Sequence, residues 1–204
     1  MGTASAAPVS GRPRDPAVDE RVTEAAVALF GEVGWAGFSV EAVARRAGVG
    51  KASIYLRWPT KEALLGAALE SRMATISEID TGSTREDLLA LTRQLLGLYL
   101  GGAGRAAMRL TLDGGYVPEI RTRHETITRS QVLAARAIVK RGIARGELPP
   151  STSVTVLLDT LCGGAMMHAM SAPPELRDRV VAGADAYAEE LVDFVAGPLL
   201  RPRA

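Results

Sequence analysis

Residues 36–65 read AGFSVEAVARRAGVGKASIYLRWPTKEALL, and the order of caps, turns and stops in this run decides the fold. Ser39 is placed to cap a helix by accepting a hydrogen bond from a free first-turn N–H, after which Val40, Val43, Ala44 and Ala47 fall on one helical face. Gly48 tolerates the left-handed backbone that ends a helix, and Val49 can tuck into the angle of the turn. A second helix is expected from about Lys51 to Trp58, burying Ile54 and offering Lys51, Ser53, Tyr55 and Arg57 outward. Pro59 stops it, because the residue before a proline is pushed out of the helical region. Thr60 then caps a helix whose Leu64, Leu65 and Ala68 continue the core. Two short helices around a glycine turn make a helix-turn-helix.

A helix that enters a major groove needs a small residue near its leading end, hydrogen-bonding groups along one side and cations at its edges. Ala52, Ser53 with Tyr55, and Lys51 with Arg57 supply these. With Ala26, Leu29, Phe30, Gly34 and Phe38 at helical distances ahead of it, the run from Gly48 to Leu65 resembles the tetracycline-repressor (TetR) family of transcription regulators, over roughly residues 17–70. The resemblance implies double-stranded operator DNA as a partner, with Tyr55 and Lys61 on phosphates. Arg57 could reach a guanine edge or a phosphate. Ser39 completes the set on the motif, and Arg12 and Arg14 could enter an A·T minor groove from a flexible arm. Gly50 stands where the family commonly has a serine cap. Glu41 stands where several members have a basic or polar contact, and a carboxylate there favours the helix dipole.

Composition neither announces nor opposes this reading. The 204 residues are 47% apolar with a net charge of +1, and residues 1–61 hold eight Lys or Arg against six Asp or Glu. Affinity must therefore come from where the cations sit, since only side chains that reach phosphates count. The single cysteine, Cys162, excludes an internal disulfide and a multi-cysteine metal site. Neither histidine has a partner at metal-ligand spacing, so no metal or cofactor is expected. No signal-like start and no apolar run near the roughly 18–20 residues of a membrane span is present, which points to the cytoplasm and away from a membrane.

The helical pattern gives an all-α chain in three parts: a flexible basic arm over 1–15, a three-helix DNA-binding domain over 16–62, and a ligand-binding and dimerisation domain over 63–204. The first helix is expected over Pro16 to Val33, and the one from Thr60 runs to about Ile79. Later helices should span about Arg85 to Leu100, Arg105 to Asp113, Pro118 to Arg145, Ser151 or Ser153 to Ser171, and Pro173 to Ala196. The total of nine matches what the resemblance implies, three for DNA and six for ligand and dimer.

In the second domain, Met108, Leu112, Tyr116, His124, Cys162, Met166, Met167 and Met170, with His168, form a polarizable, weakly polar set. Such a set fits an apolar-ligand cavity between the helices starting near Arg85, Pro118 and Ser153. Gly163 and Gly164 inside a helix suggest close helix approach, and Leu161, Val180, Tyr187, Leu191 and Phe194 offer apolar surface for the homodimer the resemblance implies. The whole reads as a non-enzymatic repressor released from DNA by a small-molecule effector. Its rivals are an all-helical enzyme or carrier, and a DNA-binding interaction module without a ligand.

Overall fold

The computed structural model describes residues 15–72, 79–113 and 118–200; for residues 111, 113, 118–120, 122–124, 126–128 and 130 it describes the backbone only. Every regular element among them is a helix. Helix α1 (Pro16–Gly37) starts where the Asp15 carboxylate accepts the Ala17 N–H at 3.0 Å, with Pro16 in the first turn. It kinks at Gly34, whose φ of 66° few other residues would accept. Helices α2 (Val40–Ala47), α3 (Lys51–Tyr55) and α4 (Lys61–Arg72) follow. The α-helical part of the second motif helix is thus shorter than expected. Its end tightens, with the Arg57 N–H bonded to the Ile54 carbonyl three residues back, as the chain prepares for Pro59.

Val22, Ala26 and Phe30 of α1 pack with Val43, Ile54, Leu64, Leu65 and Leu69 into one fully buried cluster. Each large side chain removed from water contributes about 1.5–3 kcal/mol. Because Leu64, Leu65, Ala68 and Leu69 all belong to it, this core runs past the expected boundary at 62. It also takes in Ala106 and Leu110 from α6 (Gly104–Asp113) of the second domain. Gly31 allows that docking: a Cβ there would lie 2.9 Å from the Ala106 nitrogen and 2.9 Å from the Arg105 Cβ.

The second core is built from α5 (Thr84–Leu100), α7 (Pro118–Ala144), α8 (Val154–Met170) and α10 (Ala184–Ala196), through Leu88, Leu91, Ile138, Val139, Leu161 and Val192 among others. The last helix is not continuous. A 3-10 turn (Pro174–Leu176) leads into α9 (Arg177–Ala182), and Gly183 breaks the chain before α10. Arg177, opening α9, sits at the end of α5, where its guanidinium donates to the Leu100 carbonyl at 2.9 Å and complements that helix dipole.

A buried polar cluster ties α5 to the end of α7. Glu147 accepts the Thr84 N–H at 2.7 Å, capping α5 from a distant loop. Asp87, fully buried, accepts from the Thr81 N–H at 2.6 Å, the Thr81 hydroxyl at 2.7 Å and Arg145 Nη2 at 3.0 Å. Arg141 donates to the Ile79 carbonyl, so α7 grips the chain just ahead of α5. No single helix among the described residues is long and apolar enough to cross a membrane.

Candidate nucleic-acid interface

The corner made by α2, Gly48 and α3 follows the local chemistry of the sequence. The Ser39 hydroxyl accepts the Ala42 N–H at 3.2 Å, and Gly48 is left-handed at φ 67°, ψ 36°. The Val49 N–H returns to the Ala44 carbonyl at 3.0 Å, and Ile54 is buried beneath α3. At the next restart, Thr60 accepts the Ala63 N–H at 3.1 Å. These caps fix α3 as a raised edge. Lys51, Ala52 and Tyr55 stand exposed on it, Ser53 is half-buried, and Ser39 is half-buried at the head of α2.

Arg57 departs from its expected direction. Its side chain is only 15% exposed, and Nη1 donates back to the Ser53 carbonyl at 2.9 Å and the Ser53 hydroxyl at 2.8 Å. Its Nε side is ion-paired with Asp19 in the first turn of α1. The carboxylate attracts the guanidinium inward, so Arg57 braces α3 against α1 rather than pointing out from it. Lys61 is likewise engaged, its ammonium 3.9 Å from the centre of the Trp35 ring. Arg12 and Arg14 lie outside the described residues.

Two features of this edge were not singled out as contacts from the sequence. Leu56 is 83% exposed, an apolar side chain next to Tyr55. Glu41, read as a dipole partner, also ion-pairs with Lys51 across the motif. The hydrogen bond from Lys51 holds the Glu41 carboxyl below its usual range, and the same bond raises the Lys51 ammonium. The only sequence signal for this pair was one acid and one base at the leading ends of adjacent helices.

The expected ligand set is only partly gathered, with Cys162, Met166 and Met170 recurring every four residues along one side of α8. Met108, Cys162, Met166 and Met170 are half-buried, but Leu112 and Met167 are both 61% exposed and turned outward. Tyr116 and the His124 side chain lie outside what is described. Burial and the charge of Asp159 push the Cys162 thiol up to about 11, so it stays protonated and packs as a small apolar group. His168 stacks face to face on Tyr187, centroids 3.5 Å apart. Two surface grooves are open, one of about 400 Å³ between Val156, Thr160, Phe194 and Leu199, and one of about 360 Å³ between Leu96, Gly97, Val181 and Asp185. Neither is the cavity expected between α5, α7 and α8.

Of the expected dimer residues, Leu161 is fully buried inside its own protomer, because α8 is apolar on two faces and this one meets α5 and α10. Val180, Tyr187 and Leu191 are partly covered by the same core, with the Leu191 methyls 3.1 and 3.3 Å from where a Gly164 Cβ would stand. Phe194 is 81% exposed.

Comparison with known proteins agrees with this architecture. The family described as "Bacterial regulatory proteins, tetR family" matches residues 22–68, and "Tetracyclin repressor-like, C-terminal domain" matches residues 78–195. The HTH-type transcriptional regulator AqdR of Rhodococcus erythropolis is 34% identical over 150 residues, 73% of this chain and 72% of that protein. An uncharacterized HTH-type regulator of Bacillus subtilis, YdeS, is 29% identical over 84% of this chain and 87% of its own. Among solved structures, a TetR regulator from Chloroflexus aurantiacus superposes with a TM-score of 0.70 at 20% identity, covering 90% of this chain and 96% of that one. FadR of Bacillus subtilis, solved in complex with stearoyl-CoA, gives 0.63 at 22% identity, covering 85% and 97%. With both halves of the chain matched and the helix-turn-helix in place, the protein belongs to the TetR family of helix-turn-helix transcriptional regulators.

Proposed function

We propose that the protein is a homodimeric repressor that holds a near-palindromic operator with two copies of α3 and lets go when an apolar small molecule enters the second domain. The observation that carries the DNA half is the exposed edge of Lys51, Ala52 and Tyr55 on a helix whose other side is sealed by Ile54. Phosphate contacts from Lys51, Tyr55 and Lys61 would set the register, with Ser53 and Ala52 nearest the bases. Ser39 would meet a phosphate at the head of α2, and Arg12 and Arg14 would follow the minor groove.

The dimer half is supported by an outward stripe on α8. Val156, Thr160, Gly163 and Met167 recur at helical spacing, Val156 and Met167 are exposed, and Gly163 has nothing within 4 Å of where its Cβ would be. Phe194 shares a groove with Val156 and Thr160. Two such faces related by a two-fold axis would bury the apolar groups one protomer leaves in water.

For the effector, the half-buried Met108, Cys162, Met166 and Met170 remain the adaptable lining, and Tyr116 and His124 the candidate polar anchors. FadR, of the same fold, is described with a ligand that carries a long acyl chain. The packing of α6 on α1 at Gly31 would carry the effector's influence to the head. Release requires the ligand to prefer the conformer whose two heads are wrongly spaced. Titrating a panel of apolar compounds against protein bound to a DNA selected from a random pool tests this. A compound that raises the melting temperature should also release the DNA, whereas stabilisation without release would contradict the coupling.

A further inference from the structure

The DNA-binding head carries less positive charge than its task would suggest. Over residues 15–72, seven Lys or Arg stand against eight Asp or Glu, a net of −1. Many of these acids sit on the cations. Both oxygens of Glu32 hold Arg46, at 2.6 and 2.9 Å, Asp19 holds Arg57, and Glu20 and Glu24 lie 3.5 and 3.9 Å from Arg72. Those pairs brace the head internally. The pair of Glu41 and Lys51 differs in place, because it joins the leading ends of α2 and α3 on the side that carries the exposed Ala52 and Tyr55. Both side chains are about half exposed, 57% and 48%, and the Lys51 ammonium also lies 5.5 Å from the centre of the Tyr55 ring.

We propose that Glu41 is a positioning residue that competes with DNA phosphate for Lys51 and so restrains how tightly the head holds DNA to which it makes no base contacts. This rests on the reading of α3 as the DNA-facing helix. A carboxylate and a phosphate compete for one ammonium. When DNA takes Lys51, Glu41 is left with an uncompensated charge beside the backbone, which offsets the gain from releasing a condensed counterion. An exposed pair in water exchanges readily, so the contact can still form once base contacts have committed the helix to the groove. Complexes held by phosphates alone lack that second source of affinity. Lys51 therefore contributes less to them than its charge would allow.

The test is fluorescence anisotropy of the full-length protein on a labelled random-sequence duplex, across about 50 to 200 mM NaCl, where one added phosphate contact steepens the log–log salt slope by about 0.9. Glu41→Gln should bind more tightly at the low-salt end and lose about 3.5-fold more affinity than wild type across that range for each head engaged, the fourfold salt change raised to that slope. In a Lys51→Met background the same change should leave the slope where it is. Asp178→Asn, on exposed α9, makes the same change in net charge and should leave the slope alone. A Glu41→Gln slope parallel to wild type, a steepening that persists without Lys51, or equal steepening by Asp178→Asn would each overturn the proposal. If Glu41→Gln fails to fold by circular dichroism, Glu41→Asp keeps the dipole charge but shortens the reach to Lys51, and it should give an intermediate slope; a wild-type slope would overturn the proposal. A wild type that binds neither random nor selected DNA would instead overturn the DNA-facing reading of α3.

Discussion

The guanidinium of Arg57, two residues past the end of α3, is ion-paired with Asp19 in the first turn of α1. Together with the bonds from Nη1 to Ser53, this makes Arg57 the strut that fixes the tilt of α3 on its support. Removing it should act on every DNA sequence alike. Arg57→Ala is expected to lower stability by about 1–2 kcal/mol, allowing for partial exposure, and to weaken binding without relaxing base preference. Thermal melting and selection from a random pool check the two halves. An unchanged melting temperature with degenerate preference at one base pair would return Arg57 to the role of reader.

The local rules of the motif were legible because each depends on neighbours in sequence. Ser39 caps, Gly48 turns and Pro59 stops for reasons contained within a few residues, and the structure shows all three. The direction of Arg57 was not legible, since its partner lies on another helix. The same holds for α8. Leu161 and Val156 are both aliphatic on an apolar helix, and only the packing of α5 and α10 decides that Leu161 faces in and Val156 out. The break at Gly183 did carry a local signal, a glycine inside the stretch expected as one helix from Pro173 to Ala196.

Phe194 and Leu191 should separate assembly from folding. Phe194→Glu places a charge on exposed surface and should yield a folded monomer by sedimentation at micromolar concentration. Leu191→Glu places it against Gly164 within the protomer and should lower the melting temperature sharply. A dimeric Phe194→Glu protein would remove this face from the interface.

At the joint between domains, Gly31→Ala drives a methyl to 2.9 Å from the Ala106 backbone nitrogen, a contact relieved only if α1 and α6 move apart. A loss of about 1–3 kcal/mol is expected, with weaker coupling between effector and DNA. Chemical denaturation measures the first and effector-induced release the second. Wild-type values for both would mean that the joint does not carry the signal.

Asp87 makes stability depend on acidity. Burial alone would raise its carboxyl, but hydrogen bonds from Thr81 and Arg145 and the charge of Arg145 outweigh that and hold it below the usual range. Its contribution is therefore complete above the unfolded value near pH 4 and is lost as pH falls through the lower folded value. Asp87→Asn should cost about 1.5–3 kcal/mol at neutral pH, because it removes the charge-assisted bond from Arg145 while Arg145 keeps Asp80 at 3.2 Å and Glu147 at 3.5 Å, and should flatten the fall in stability below about pH 4. Melting curves of both proteins between pH 3 and 7 read both effects; parallel curves would contradict the assignment.

The central claim is that two α3 edges read one two-fold-related DNA site. Selection of bound duplexes from a random pool by the wild-type protein tests it most directly. The account predicts an enriched near-palindrome whose half-sites are about one helical turn apart, about 10 base pairs centre to centre, or a multiple of that. Enrichment of a single unrepeated half-site, or no enrichment above the starting pool, would contradict it.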